Sequence, residues 1–132
     1  MSNASKVSVL VVDDHPNGMN LTNDVLDMGG YSPFVARSGK EAQDALWRIR
    51  VHAILLDFVK PEIDGVELLR RVKENPRLRE IPVIVLTAKE LTGAQAENLK
   101  RDSRGIIGKD AHWRQELISQ LDLALGKQLI RS

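Results

Sequence analysis

Residues with metal- and phosphate-binding side chains follow apolar runs at four places in the chain. Asp13 and Asp14 follow a run of valine and leucine, and Asp57 follows a second apolar run. Thr87 closes a third run, and Lys109 stands just beyond a short fourth one. Three carboxylates, a hydroxyl and an ammonium group can together bind a cation and an anion, provided that the fold brings them to one point.

Charge repulsion among the acids predicts a metal ion. Two carboxylates roughly 5 Å apart repel by about 3 kcal/mol at an effective dielectric near 20, and a third adds to the cost. A divalent cation removes this repulsion. The ligands are all oxygen and the chain has no cysteine, which favours Mg²⁺ over zinc, with Mn²⁺ as the alternative.

Asp57 is the candidate nucleophile of such a site. It ends a fully apolar run, where an unpaired charge requires a partner. With a metal ion in place its carboxylate can attack phosphorus and form an acyl phosphate. Phosphoryl transfer then depends mainly on alignment and charge balance, which Thr87 and Lys109 can provide.

The elements that position these residues alternate along the chain. Apolar runs of strand length alternate with segments of helical periodicity, which predicts five strands and five helices in a doubly wound parallel α/β sheet. In such a sheet ligands bind at the carboxyl ends of the strands. The predicted strands cover residues 7–12, 31–36, 51–56, 82–86 and 105–107.

Helix boundaries and buried faces are also readable. Ser38 and Glu41 form a capping box at the start of the second helix. Leu21, Val25 and Met28 repeat at helical spacing and are predicted to be the buried face of the first helix. The sequence therefore supplies both a start signal and a core-facing pattern.

Length and composition indicate one domain. The chain has 132 residues, 42% of them hydrophobic, with a formal net charge of +1 and no cysteine. Scattered Lys and Arg argue against direct nucleic-acid binding, and no apolar run is long enough for membrane insertion. We expect a cytoplasmic domain over residues 5–127, with 1–4 an expression-tag remnant and 128–132 a C-terminal tail.

The set of motifs resembles the receiver domain of two-component response regulators. This resemblance covers nearly the whole chain and implies the flavodoxin-like receiver fold. It also implies a domain that is not an enzyme but promotes its own phosphorylation and dephosphorylation. The matching elements are Val11-Val12-Asp13-Asp14, Leu55-Leu56-Asp57, Pro61, Asp64-Gly65, the segment from Pro82 to Thr87-Ala88, and Lys109.

The resemblance assigns a role to each matched residue. It implies that Asp57 is the phosphoacceptor, and that Thr87, the Ala88 backbone amide and Lys109 contact the phosphoryl group. It implies a sensor histidine kinase or histidine phosphotransfer protein as partner. The implied Mg²⁺ ligands are Asp13, Asp14, Asp57 and the backbone carbonyl of Val59.

Several positions depart from the family pattern. Ile106 replaces the aromatic residue that acts as a switch, so that switch is expected to be absent. Asp110 replaces the proline after Lys109, and a trans peptide is predicted there because a cis bond costs about 2.5–4 kcal/mol without proline. The segment 86–89 is similar to receivers inside hybrid kinases or multidomain regulators. Trp113 is interpreted as part of a partner surface.

Two other functions remain open on the sequence. A phosphate-independent binding module of the same fold is favoured by Ile106 and Asp110, but opposed by the intact acids. An aspartyl phosphatase of the haloacid dehalogenase type would also use a strand-end Asp. Such enzymes carry a second Asp two residues later, where this chain has Val59.

Overall fold

The computed structural model describes residues 7–13, 19–58, 63–87 and 93–126. Asp14, Val59 and Ala88, three of the predicted site residues, lie outside these ranges. The predictions for them therefore stay predictions. The other predicted site residues are described.

Five parallel strands form one sheet, as predicted. The strand order is β2-β1-β3-β4-β5, so the direction of winding reverses between β1 and β3. In open α/β sheets this reversal marks the ligand-binding edge. The strands are β1 (Val7–Val12), β2 (Tyr31–Ala36), β3 (Ala53–Phe58), β4 (Val83–Thr87) and β5 (Gly105–Gly108).

Four helices connect the five strands and a fifth follows β5, which confirms the predicted alternation. The Ser38 hydroxyl caps the second helix by accepting from the Glu41 backbone N–H at 3.1 Å. Glu41 Oε1 accepts in turn from the Arg37 backbone N–H at 2.9 Å, so the reciprocal bond of the predicted capping box goes one residue further back. The helices are α1 (Met19–Met28), α2 (Gly39–Arg48), α3 (Ile63–Glu74), α4 (Gly93–Asp102) and α5 (Trp113–Leu125).

Side chains from alternate strand positions pack on opposite faces of the sheet. The α1/α5 face buries Val11, Leu55 and Leu86 beneath α1 and α5. The α2–α4 face buries Leu10 and Leu56 beneath α2, α3 and α4. Burial of both faces explains why the central strands consist of nearly continuous apolar runs.

The predicted buried face of α1 is right for Val25, which is 8% exposed, and wrong for its other two positions. Leu21 is 47% exposed and Met28 is 89% exposed. Among the α1 side chains whose burial is described, residues 21–28, the buried ones are Thr22, Val25 and Leu26, which lie three and four residues apart on one side of the helix. Thr22 is therefore buried on the inner side of α1, where the hydropathy pattern predicted Leu21.

Two further comparisons concern the carboxyl edge of the sheet. β3 begins and ends two residues later than predicted, because its pairing with β4 continues through Phe58 and Thr87. Asp57 is therefore inside the strand. The Lys109–Asp110 bond is trans, as predicted, like every peptide bond in the described ranges.

The surface role predicted for Trp113 is wrong. Its side chain is 6% exposed and packs in the core of the α1/α5 face. The indole fills the space at the start of α5, against the sheet. Within the described parts of the chain, no helix has both the length and the apolar character needed to cross a membrane.

Candidate functional site

The strand register brings Asp13 and Asp57 side by side. Val12 and Leu56 are partners in the parallel β1–β3 pair, and each acid follows directly. Neighbouring strands lie about 4.8 Å apart, so two acidic residues meet where the winding of the sheet reverses. Both are buried, with Asp13 3% and Asp57 2% exposed.

Lys109 forms an ion pair with the predicted acceptor. Its Nζ lies 2.8 Å from Asp57 Oδ1, and the two side chains are 25% and 3% exposed. This pairing compensates a carboxylate that the apolar strand has removed from water. It also places a cation where charge on an incoming anion would develop.

Two contacts fix the position of Lys109. Its backbone N–H donates to the Thr87 carbonyl at 2.9 Å, which continues the β4–β5 pairing for one residue beyond β5. Its Nζ lies 5.8 Å from the centre of the Trp113 ring, within the range of a cation–π contact. The ammonium group is therefore directed towards Asp57 by both backbone and side-chain packing.

Thr22 is a site residue that sequence reasoning missed. Its Oγ1 donates to Asp57 Oδ2 at 2.9 Å, and the residue is 1% exposed. The signal was available in the spacing of Thr22, Val25 and Leu26 along α1. It was not recognised because a hydropathy pattern favours the apolar residue at each turn.

Thr87 and Ile106 lie where the sheet order predicts. Thr87 ends β4 and is 2% exposed, and its register partner Phe58 follows Asp57 directly. Ile106 is partly buried and packs against the core of the α2–α4 face. The position at which the resemblance to receiver domains implies an aromatic switch is thus occupied by an aliphatic side chain that contributes to packing.

The described residues fit a hard divalent cation. Asp13 and Asp57 with Lys109 carry one negative charge in excess, and the two acids offer buried oxygen ligands of the kind that Mg²⁺ prefers. No cluster of three or more His, Cys, Asp or Glu side chains is found within the described ranges. Asp14, the third predicted acid, is not among them.

Comparison with known proteins identifies the family. A sequence model of the response regulator receiver domain matches residues 9–122. The polar-differentiation response regulator DivK of Brucella anthropi is 37% identical over 86 residues, which is 65% of this chain and 70% of DivK. The chain therefore belongs to the response regulator receiver domain family of two-component systems, as the sequence motifs predicted.

Solved structures agree with this assignment. The receiver domain of a sensor histidine kinase from Pseudomonas aeruginosa superposes with a TM-score of 0.79 at 28% identity, covering 92% of this chain and 99% of that one. That structure is described with a magnesium ion coordinated in its active-site cleft. The receiver domain of a histidine kinase from Syntrophus aciditrophicus gives a TM-score of 0.78 at 30% identity, covering 91% and 90%.

Proposed function

We propose that this domain takes a phosphoryl group from a phosphohistidine onto Asp57 and thereby regulates an output. The donor would be a sensor histidine kinase or a histidine phosphotransfer protein. The observation that carries the proposal is the 2.8 Å ion pair between Lys109 and the buried Asp57 carboxylate, next to Asp13. Membership of the receiver family supports the same assignment.

The chemical step requires little from the protein beyond positioning. A lone pair of the Asp57 carboxylate attacks phosphorus, and the phosphorus–nitrogen bond of the donor breaks with its electron pair remaining on the imidazole. Lys109 neutralises charge on the phosphoryl oxygens, a task for which a flexible ammonium group is suited. The Thr87 hydroxyl and the Ala88 backbone amide are proposed to donate hydrogen bonds to the same oxygens.

The acidic residues would hold the metal ion. Asp13, Asp14, Asp57 and the Val59 backbone carbonyl are the proposed Mg²⁺ ligands, with Mn²⁺ as the alternative. When bound, the ion would offset the charge of both the acids and the transferred group. The description of magnesium in the cleft of the Pseudomonas aeruginosa domain supports this assignment by analogy.

Phosphorylation is proposed to act by shifting a conformational equilibrium. The phosphorylated side chain carries a charge of roughly −2 at neutral pH in place of the carboxylate's −1, and this change favours whichever conformation pairs the phosphoryl group better. Because Ile106 is aliphatic, the switch would operate without the rotating aromatic ring. We place the domain in the cytoplasm, over residues 5–127.

The direct test is the intact mass of the protein after incubation with acetyl phosphate and Mg²⁺. We expect a gain of one phosphoryl group in the parent, and none in Asp57→Asn or in the parent with chelator. A folded parent that gains nothing would contradict the proposal. That result would favour the phosphate-independent binding module, for which Ile106 in place of the aromatic switch is the supporting observation.

A further inference from the structure

The acceptor carboxylate is bound by an α1 residue that belongs to none of the matched motifs. Thr22 Oγ1 lies 2.9 Å from Asp57 Oδ2, and the contact is buried. An ionised carboxylate only accepts hydrogen bonds, so the threonine hydroxyl is the donor. We infer that Thr22 is a positioning residue for the acceptor carboxylate, an inference that rests on the proposed phosphorylation of Asp57.

The two oxygens of Asp57 are held from different directions. Lys109 reaches Oδ1 from beyond β5, and Thr22 reaches Oδ2 from α1. The terminal torsion of an aspartate is soft, so one partner alone would leave the carboxylate plane free to turn. Two partners on separate elements fix this plane and keep Oδ2 from turning towards the Lys109 ammonium.

The contact is compatible with the reaction because it leaves each oxygen with capacity for another partner. A carboxylate oxygen has two lone pairs, and the bonds to Thr22 and Lys109 each use one. The second lone pair of either oxygen can contact a metal ion or attack phosphorus. Thr22 keeps its proton throughout and acts through the Asp57 carboxylate, which makes it a positioning residue rather than a catalytic one.

The expected size of the effect follows from other metal-binding carboxylates. Hydrogen-bond partners behind a metal ligand typically contribute about 10- to 100-fold to metal affinity or activity. Thr22 also ties β3 to α1, the helix that follows the segment containing Asp14. Loss of its hydroxyl should therefore weaken Mg²⁺ binding as well as phosphorylation.

A purely structural role makes a different prediction. If Thr22 only satisfies a buried polar atom, its removal lowers the free energy of unfolding and leaves the folded site unchanged. Mg²⁺ affinity measured on folded protein separates the two roles, because it requires no turnover. Thr22→Val keeps the side-chain shape without the hydroxyl, and Thr22→Ser keeps the hydroxyl.

The experiment compares the parent with Thr22→Val and Thr22→Ser. Mg²⁺ binding is measured by calorimetry and phosphorylation by intact mass with acetyl phosphate, in which the Asp57 oxygen bonds phosphorus and acetate leaves with the electron pair. We expect the Mg²⁺ dissociation constant of Thr22→Val to rise by about tenfold, with a similar fall in the initial rate below Mg²⁺ saturation. Thr22→Ser should stay close to the parent.

The outcomes distinguish this inference from the proposed function. If the parent is phosphorylated and Thr22→Val matches it in Mg²⁺ affinity and rate, the positioning role is wrong and the proposed function stands. If the parent gains no phosphoryl group, the proposed function fails, and the inference fails with it. Circular dichroism checks folding, and Thr22→Ala, with the same expected losses, replaces Thr22→Val if that variant does not fold.

Discussion

The two faces of the sheet are both covered by helices, but they bury different chemistry. On the α1/α5 face, polar groups are paired in the interior: Thr22 with Asp57, and Tyr31 with Asp122. The hydrophobic cluster of the α2–α4 face consists of aliphatic side chains and alanine, and Ile106 packs against it. The candidate acceptor Asp57 therefore lies on the α1/α5 face, whereas the α2–α4 cluster packs on the other side of the sheet, where alternation along β4 also places the buried Thr87 side chain.

Whether a buried acid belongs to the site depends on its position along the strand as well as on the face of the sheet. Tyr31 begins β2 and its hydroxyl donates to Asp122 Oδ1 at 2.6 Å. This pair lies at the amino edge of the sheet, whereas Asp57 lies at the carboxyl edge. A buried carboxylate is thus a site residue only where strand ends bring a second acid and a cation to it.

The largest expected effect is a loss of stability at an unchanged phosphorylation rate. Leu68 on α3 is 1% exposed in the α2–α4 core. Leu68→Ala should lower the free energy of unfolding by about 2–5 kcal/mol, through lost burial and the cavity left behind. Denaturant titration measures this loss. The phosphorylation rate per folded molecule should be unchanged, and a large fall in that rate would contradict the division between the faces.

The next largest effect is expected on the phosphorylation rate. Lys109→Ala removes the cation beside Asp57 and should slow phosphorylation by acetyl phosphate by about 100-fold, the lower range for loss of one charge-stabilising donor. Initial rates from intact mass measure it. Lys100→Ala on the exposed end of α4 is the matched control and should retain the parent rate. Equal rates in both variants would remove Lys109 from the mechanism.

A smaller effect is expected for the Tyr31–Asp122 pair, which lies on the α1/α5 face but at the amino edge of the sheet. Tyr31→Phe deletes the donor to the buried Asp122 and should lower the free energy of unfolding by about 1.5–3 kcal/mol, as expected for a hydrogen bond to a charged group. Thermal or denaturant unfolding measures the change. Phosphorylation should be unaffected, since the pair lies at the opposite edge from Asp57, and a slowed reaction would show that the edges are coupled.

The smallest effect concerns surface charge on the α2–α4 side. Hydrogen bonds from Arg70 and then Arg71 hold the pKa of Glu67 below its ordinary value of 4.5. A carboxylate with a lowered pKa contributes stability above that value, and this contribution is lost as the pH falls below it. Because the group is exposed, Glu67→Gln should change the unfolding temperature only slightly above pH 4.5 and not at all well below it.

Much of the fold was predictable because local signals agree with the tertiary structure. β1 and β2 have the predicted bounds, and Ser38 caps α2 as predicted. Each of these signals acts within a few residues. The late end of β3 was missed because it depends on pairing with β4, which lies far along the chain.

The site was predictable where its residues lie at or near the carboxyl ends of strands, and not where a helix contributes. Asp13, Asp57, Thr87 and Lys109 follow apolar runs, so strand order alone assembles them. Thr22 was missed because the apolar pattern of α1 favoured Leu21, and because its partner Asp57 is 35 residues away in the sequence. Trp113 was misassigned for a related reason, since sequence position does not show which side of α5 meets the sheet.

The most direct test of the central claim is to locate the phosphoryl group. Phosphorylated protein is reduced with borohydride, which converts an aspartyl phosphate to homoserine, and its peptides are sequenced by mass spectrometry. We predict homoserine at position 57 only, dependent on Mg²⁺ and on acetyl phosphate. Modification at Asp13 or at any other residue, with Asp57 unchanged, would contradict the assignment of Asp57 as the acceptor.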